Sequence, residues 1–181
     1  MGFVKTTRSF ALSILAFVPL VCVAYLNLAA QEMHHHAPAV RSTTLTLTYN
    51  GNIVTLTAVA LASLPHVTVT VFNGHTKVNE TYSGVPLTTL LARMGVPQGE
   101  NVRGPLFMTG VVAEGTDGYK VLYSLAETDP SIHTGQIIVA DTLDGKPIAA
   151  DGAFKIVSTE DKRPARWVRN LDKISVITVN P

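Results

Sequence analysis

Leu45-Thr46-Leu47-Thr48-Tyr49-Asn50-Gly51-Asn52-Ile53-Val54-Thr55-Leu56 is the stretch on which the reading of this chain turns. Apolar and polar side chains alternate at period two over residues 45–49, the pattern of a strand with one buried and one solvated face. Asn50-Gly51 then supplies the two left-handed positions of a tight turn, and Ile53 to Leu56 can pair back on the first strand. The ordered part therefore starts near Leu45 with a β-hairpin. Thr57 stands as the cap of a short alanine-rich helix ending before Pro65, and Val67-Thr68-Val69-Thr70-Val71-Phe72 alternates strictly until Asn73-Gly74 stops it.

Farther along, Gly84-Val85-Pro86-Leu87 places a proline where the first turn of a helix tolerates it. Leu87, Leu90, Leu91 and Met94 recur at helical spacing, and Gly95 can end the helix. Between Gly74 and Gly84 no element is assigned, and the connection reads as trimmed. Apolar strand candidates follow at residues 106–112, 119–123, 137–140, 154–157 and 174–179, separated by Asp117-Gly118, Asp144-Gly145 and Asp151-Gly152 turns. Ser124-Leu125-Ala126-Glu127 has the spacing of a capping box over one helical turn. The class these signals predict is α+β, mostly β with two or three short helices, in one domain over residues 45–181.

The N-terminus has a different character. Lys5 and Arg8 precede an uncharged apolar run over residues 10–30, the basic-then-apolar order of a secretory signal. Cleavage after Ala30 gives an exported protein, periplasmic or secreted; an uncleaved run is long enough to anchor it in a bilayer of about 30 Å. Residues 31–44, with His34, His35, His36 and Pro38, read as a flexible linker rather than a metal site, because adjacent imidazoles in a tail have no fixed geometry. Cys22 is the only cysteine among 181 residues and lies inside the signal. The mature chain thus carries no disulfide, no thiolate nucleophile and no cysteine-ligated metal. A net charge of +1 leaves no global field for a nucleic acid, so any anion site must be local.

One segment concentrates charge. Glu160-Asp161-Lys162-Arg163-Pro164-Ala165-Arg166-Trp167-Val168-Arg169 sets four cations and the single tryptophan between two strands. A loop can aim several guanidinium forks at one phosphorylated guest. Alternatively, the arginines pair with Glu160, Asp161 and Asp172 while Trp167 plugs the core. Hydrolytic chemistry has little support: the chain has no Gly-x-Ser-x-Gly, no His-Glu-x-x-His and no cysteine to pair with a histidine. Walker-type and Rossmann phosphate loops are absent as well, and His66, His75 and His133 are scattered.

The order of these motifs resembles the molybdopterin-binding domain of the sulfite oxidase family over most of residues 45–181. The resemblance rests on Leu64-Pro65, Val67 to Val71, Gly84 to Leu87 with Leu90-Leu91, Asp117-Gly118-Tyr119 and Ser124-Leu125. It continues through Ile138 to Asp141, Asp144 to Pro147, Phe154 to Val157 and the basic tryptophan loop. Where the family reads Arg-Ser-Val-Lys-Trp, this chain has Arg163-Pro164-Ala165-Arg166-Trp167. The resemblance implies an oxidoreductase fold, a molybdopterin cofactor and a periplasmic redox partner. It implies Arg163 and Arg166 as phosphate ligands, beside Trp167, with Lys162 and Arg169 as outer partners. It also implies a departure: the family's molybdenum-ligating cysteine aligns with Asn73, and His75 is the nearest substitute ligand. An amide is a poor ligand for a high-valent metal, which sets molybdenum and catalysis apart from cofactor binding. The alternative on the same fold is a non-catalytic binding or interaction module.

Overall fold

The hairpin predicted at residues 45–56 forms as β1 (Thr44–Tyr49) and β2 (Asn52–Thr57), with Asn50 and Gly51 at φ of 47° and 79°. The computed structural model describes residues 1–2, 40–148 and 150–179. The chain divides into Met1–His35 and His36–Pro181, and the architecture below belongs to the second unit. The apolar N-terminal run and His34 to His36 lie outside the described residues. Thr57 caps α1 (Ala58–Ala62) by accepting the Ala60 N–H at 3.2 Å. β3 (Val67–Asn73) follows, then β4 (Val78–Pro86) and α2 (Leu87–Arg93). At the end of α2, Gly95 takes a φ of 81° while its N–H and that of Val96 return to the Ala92 and Leu91 carbonyls.

The remaining strands are β5 (Thr109–Gly115), β6 (Lys120–Ser124), β7 (Ile137–Leu143), β8 (Lys146–Pro147), β9 (Lys155–Ser158) and β10 (Leu171–Thr178). Between β6 and β7, α3 (Leu125–Thr128) starts on the capping box: Ser124 Oγ accepts from the Glu127 N–H, and the Glu127 carboxylate accepts from the Ser124 N–H. The described residues are thus mostly sheet with three short helices, an α+β fold.

Two expectations shift. The region between Gly74 and Gly84, unassigned from sequence, is mostly strand β4. Its polar residues sit on a sheet whose register comes from β3 and β7 rather than from local pattern. The apolar stretch at 106–112 begins as a 3-10 turn over Gly104–Met108, since Pro105 has no N–H for a ladder, and only then becomes β5.

Strand order in one sheet is β2-β1-β10-β5-β6, with β1 parallel to β10 and the other pairs antiparallel. In the second it is β3-β4-β7-β8, with β9 also on β7. Gly84 makes the β4–β7 contact feasible: a Cβ there would lie 2.3 Å from the Val139 carbonyl oxygen, beside a register shift at Ser83/Gly84.

Both faces of the second sheet carry buried side chains, although the outer side of β3 is exposed. Val85, Val139 and Ile156 join Leu45, Leu47, Val111, Ile174 and the leucines of α2 in the main core. The opposite face carries Val71, Tyr82, Ile138, Ala140 and Val157, and Trp167 from the 160–169 loop closes over it. Because strand side chains alternate, that same face must also carry Asn73 on β3, Glu80 on β4 and Lys155 on β9.

Candidate functional site

Burying an amide, a carboxylate and an ammonium on one sheet face is costly unless each finds a partner. Here they find one another. Asn73, Glu80 and Lys155 are about 7%, 7% and 6% exposed. Asn73 Nδ2 donates to Glu80 Oε2 at 2.9 Å, Tyr82 OH donates to the same oxygen at 2.6 Å, and Thr76 Oγ1 donates to Glu80 Oε1 at 2.8 Å. Lys155 Nζ donates to Tyr82 OH at 3.0 Å and to Asp151 Oδ2 at 2.8 Å. The ammonium also lies 5.0 Å from the Tyr82 ring centre and 5.7 Å from that of Trp167. Tyr82 and Trp167 meet edge to face, and the indole N–H is satisfied by the Ser158 carbonyl at 3.1 Å.

Electrostatics follow from this connectivity. Burial works against the charged form of Glu80, but hydrogen bonds from Tyr82, Asn73 and Thr76, with the Lys155 charge, outweigh it and hold the carboxyl below its ordinary range. Burial and the Glu80 carboxylate push the Tyr82 phenol upward, so it stays protonated and serves as a relay of hydrogen bonds.

This network is the floor of a cavity of about 1100 Å³. On one side stands the turn after β3. There Asn73 Oδ1 accepts the His75 N–H at 2.9 Å, and the Lys77 N–H returns to the Asn73 carbonyl at 2.8 Å. On the other stands the 160–169 loop, whose Lys162 carbonyl and Pro164 ring approach the open side of Gly74. Tyr119 ties that loop down by donating its hydroxyl to the Ala165 carbonyl.

Of the residues expected from sequence, Asn73, His75, Lys162, Arg163, Trp167 and Arg169 all line this one cavity. Arg166 does not. Its Nε and Nη2 donate to Asp161, its Nη1 donates to Glu127 at 3.0 Å, and its guanidinium covers the Tyr123 ring at 4.8 Å. Its hydrogen bonds to Asp161 lead in raising its affinity for its proton, burial opposing. Arg166 therefore follows the ion-pairing reading of the loop, whereas Arg163 lines the cavity without an ion-pair partner among the described residues.

The rim has the opposite character to the floor. Lys77, Lys162 and Arg163 are exposed, and no carboxylate among the described residues lies within ion-pair distance of them. Arg169 stands loosely 3.9 Å from Asp151. Phe72 and Tyr119 line the cavity with roughly half their surface exposed, 55% and 43%. Cations without a protein partner beside a half-exposed tyrosine suit a planar, phosphorylated guest. Lys77, Phe72, Tyr119, Glu80, Tyr82, Asp151 and Lys155 were not singled out as site residues from sequence. A lysine inside the apolar run Phe154-Lys155-Ile156-Val157 was the one available signal.

The residues divide in their fit to a molybdenum-bearing pterin. The unpaired rim cations suit its phosphate. The position implied for the metal does not suit a metal, because the Asn73 amide is spent at both ends: Nδ2 on Glu80, and Oδ1 on the His75 and Thr76 N–H groups. Among the described residues no three histidine, cysteine or carboxylate groups converge on a common point.

No family model matches the chain, and no curated protein matches it. Among solved structures, the fold is similar to that of the sulfane dehydrogenase SoxCD from Paracoccus pantotrophus. The TM-score is 0.56 and the identity 18%, over 74% of this chain and 37% of that one. At that identity the likeness is one of fold, and the chain spans well under half the length of the structure it matches.

Proposed function

We propose that this protein is an exported, oxidoreductase-like binding protein that holds a phosphorylated pterin-type ligand between the 73–77 turn and the 160–169 loop. One observation carries the reading: Lys77, Lys162 and Arg163 ring the mouth without a carboxylate partner among the described residues, beside the half-exposed Tyr119. What sets these cations apart is their convergence on one concave mouth, where they are available to an anionic guest. The motif order resembling the sulfite oxidase family, and the fold likeness to a sulfane dehydrogenase, support the same class of ligand. When bound, such a ligand supplies a planar hydrogen-bonding ring and a phosphate ester. Rim cations hold the phosphate, Tyr119 stacks on the ring, and Trp167 with Tyr82 excludes water below it.

The test is purification of the full chain from a molybdenum-replete host that makes the cofactor. Pterin fluorescence at stoichiometric level is expected, with loss of most of it in the Lys162→Ala/Arg163→Ala double variant. Protein that emerges without pterin overturns the proposal.

A second reading, favoured by the committed Asn73 amide, is a non-catalytic periplasmic module that retains the fold and engages a redox partner without turning over a substrate. Stoichiometric molybdenum together with turnover of an oxidisable substrate would dispose of it.

A further inference from the structure

The cavity floor carries a donor and acceptor pattern that phosphate binding leaves unused. Lys155 Nζ spends two of its three protons, on Asp151 Oδ2 and Tyr82 OH, and the third has no acceptor among the described residues. Asp151 Oδ1 has only Arg169 Nη1 at 3.9 Å, beyond hydrogen-bond distance. Tyr82 OH is closed to a guest, since it donates to Glu80 and accepts from Lys155. Lys155 and Asp151 both line the cavity, so an ammonium with one donor unspent stands beside a carboxylate oxygen without a hydrogen bond, both on groups largely removed from water. The side chains of Lys155 and Asp151 are 7% and 19% exposed.

We infer that Asp151 and Lys155 read the edge of the ligand's ring, selecting heterocycles that present a carbonyl oxygen beside N–H donors. This is the amino-oxo-pyrimidine edge shared by pterins and guanine. Lys155 donates to the ring carbonyl, and the open Asp151 Oδ1 accepts from the adjoining ring N–H. An adenine-type edge sets a ring nitrogen lone pair where Asp151 needs a proton. The desolvated carboxylate is then left unpaired, which is how a hydrogen-bonding site rejects a near-isostere.

This inference rests on the binding of a phosphorylated ring proposed above, and the experiment separates the two. Calorimetric titration of the full chain uses guanosine 5′-monophosphate, adenosine 5′-monophosphate, neopterin phosphate and pyrophosphate at one ionic strength. The expected result is that both the guanine and the pterin ligand bind at least about tenfold more tightly than the adenine one. The ratio between those two tells which ring the site prefers, and either order supports the edge reading. Asp151→Asn, which turns part of the acceptor into a donor, is expected to collapse the guanine-to-adenine ratio to about unity. If that variant fails to fold, the ratio on the unaltered protein decides alone. Guanine and adenine ligands bound equally overturn the edge reading while leaving phosphate binding in place; no binding by any of the four overturns both.

Discussion

Arg163 and Arg166 stand one helical turn apart in the same loop and live in opposite surroundings. Arg166 faces α3 and is consumed: Asp161 and Glu127 accept its protons, and Tyr123 lies under its plane. Arg163 faces the cavity and has no ion-pair partner among the described residues. Arg163 is the extended residue before the 3-10 turn at Pro164–Arg166 and Arg166 is the last residue within it, so the two side chains leave the loop from different backbone geometries. A guanidinium whose three nitrogens each donate to protein carboxylates supports the fold, whereas one left unpaired at a concavity is available for binding. The same contrast separates the interlocked floor of the cavity from its rim.

That contrast can be broken most forcefully at the floor. Replacing Lys155 with Met leaves Asp151 and the Tyr82 hydroxyl without their shared donor, and is expected to cost about 3 kcal/mol in urea unfolding. A loss below about 1 kcal/mol would show that the buried pair contributes little. Next in size is Glu80→Gln, which weakens three hydrogen bonds to the carboxylate and is expected to cost about 2 kcal/mol at neutral pH. Its pH dependence has a definite sign. The folded carboxyl titrates below the ordinary 4.5, so its contribution is complete above that value and is lost as pH falls through the folded one. Acid unfolding of the Gln variant is therefore expected to be flatter over that interval; identical slopes would remove Glu80 from the account.

The two arginines sharpen the comparison directly. Arg166→Ala is expected to lose about 1 kcal/mol of stability, since its side chain is 37% exposed and its ion pairs are screened. Arg163→Ala is expected to change stability by less than about 0.5 kcal/mol and to lower affinity for a phosphorylated ligand in a salt-sensitive way. Equal stability losses in the two variants would erase the distinction.

The smallest effect concerns His66, whose Nδ1 and Nε2 face the Leu64 carbonyl at 2.7 Å and Asp141 at 3.0 Å. Burial opposes its protonation, but both acceptors outweigh it and raise the ring above its ordinary 6.5. Its contribution is complete below that value and fades as pH rises through the folded one. Thermal melts of His66→Gln are expected to differ from those of the unaltered protein under mildly acidic conditions and to converge in base.

Local signals made much of the scaffold legible. Asn50-Gly51 fixes a hairpin because both positions need left-handed backbone, and Ser124 with Glu127 closes a capping box within one turn. Leu87, Leu90 and Leu91 define a helix through their own spacing, and all three are buried. β4 was not legible. Val78-Asn79-Glu80-Thr81-Tyr82 is polar enough to pass for a loop, and its strand character comes from its pairings with β3 and β7. The site was legible to the same degree: the cationic loop stood out by composition and Asn73 through the family resemblance, while Glu80, Tyr82 and Lys155 did not. Each of those three is an ordinary residue until the sheet sets it against the others.

The chain on its own dictated where it turns, where its helices start and stop, and that its charge gathers near a lone tryptophan, because these depend on interactions within a few residues. Tertiary structure alone decided which arginine is spent and which is free, and that an asparagine, a glutamate, a tyrosine and a lysine from three strands share one buried face. The reason is physical: hydrogen bonds between residues 73, 80, 82 and 155 exist only after strand pairing has brought them together, and no local pattern encodes the energy of a contact made across such separations.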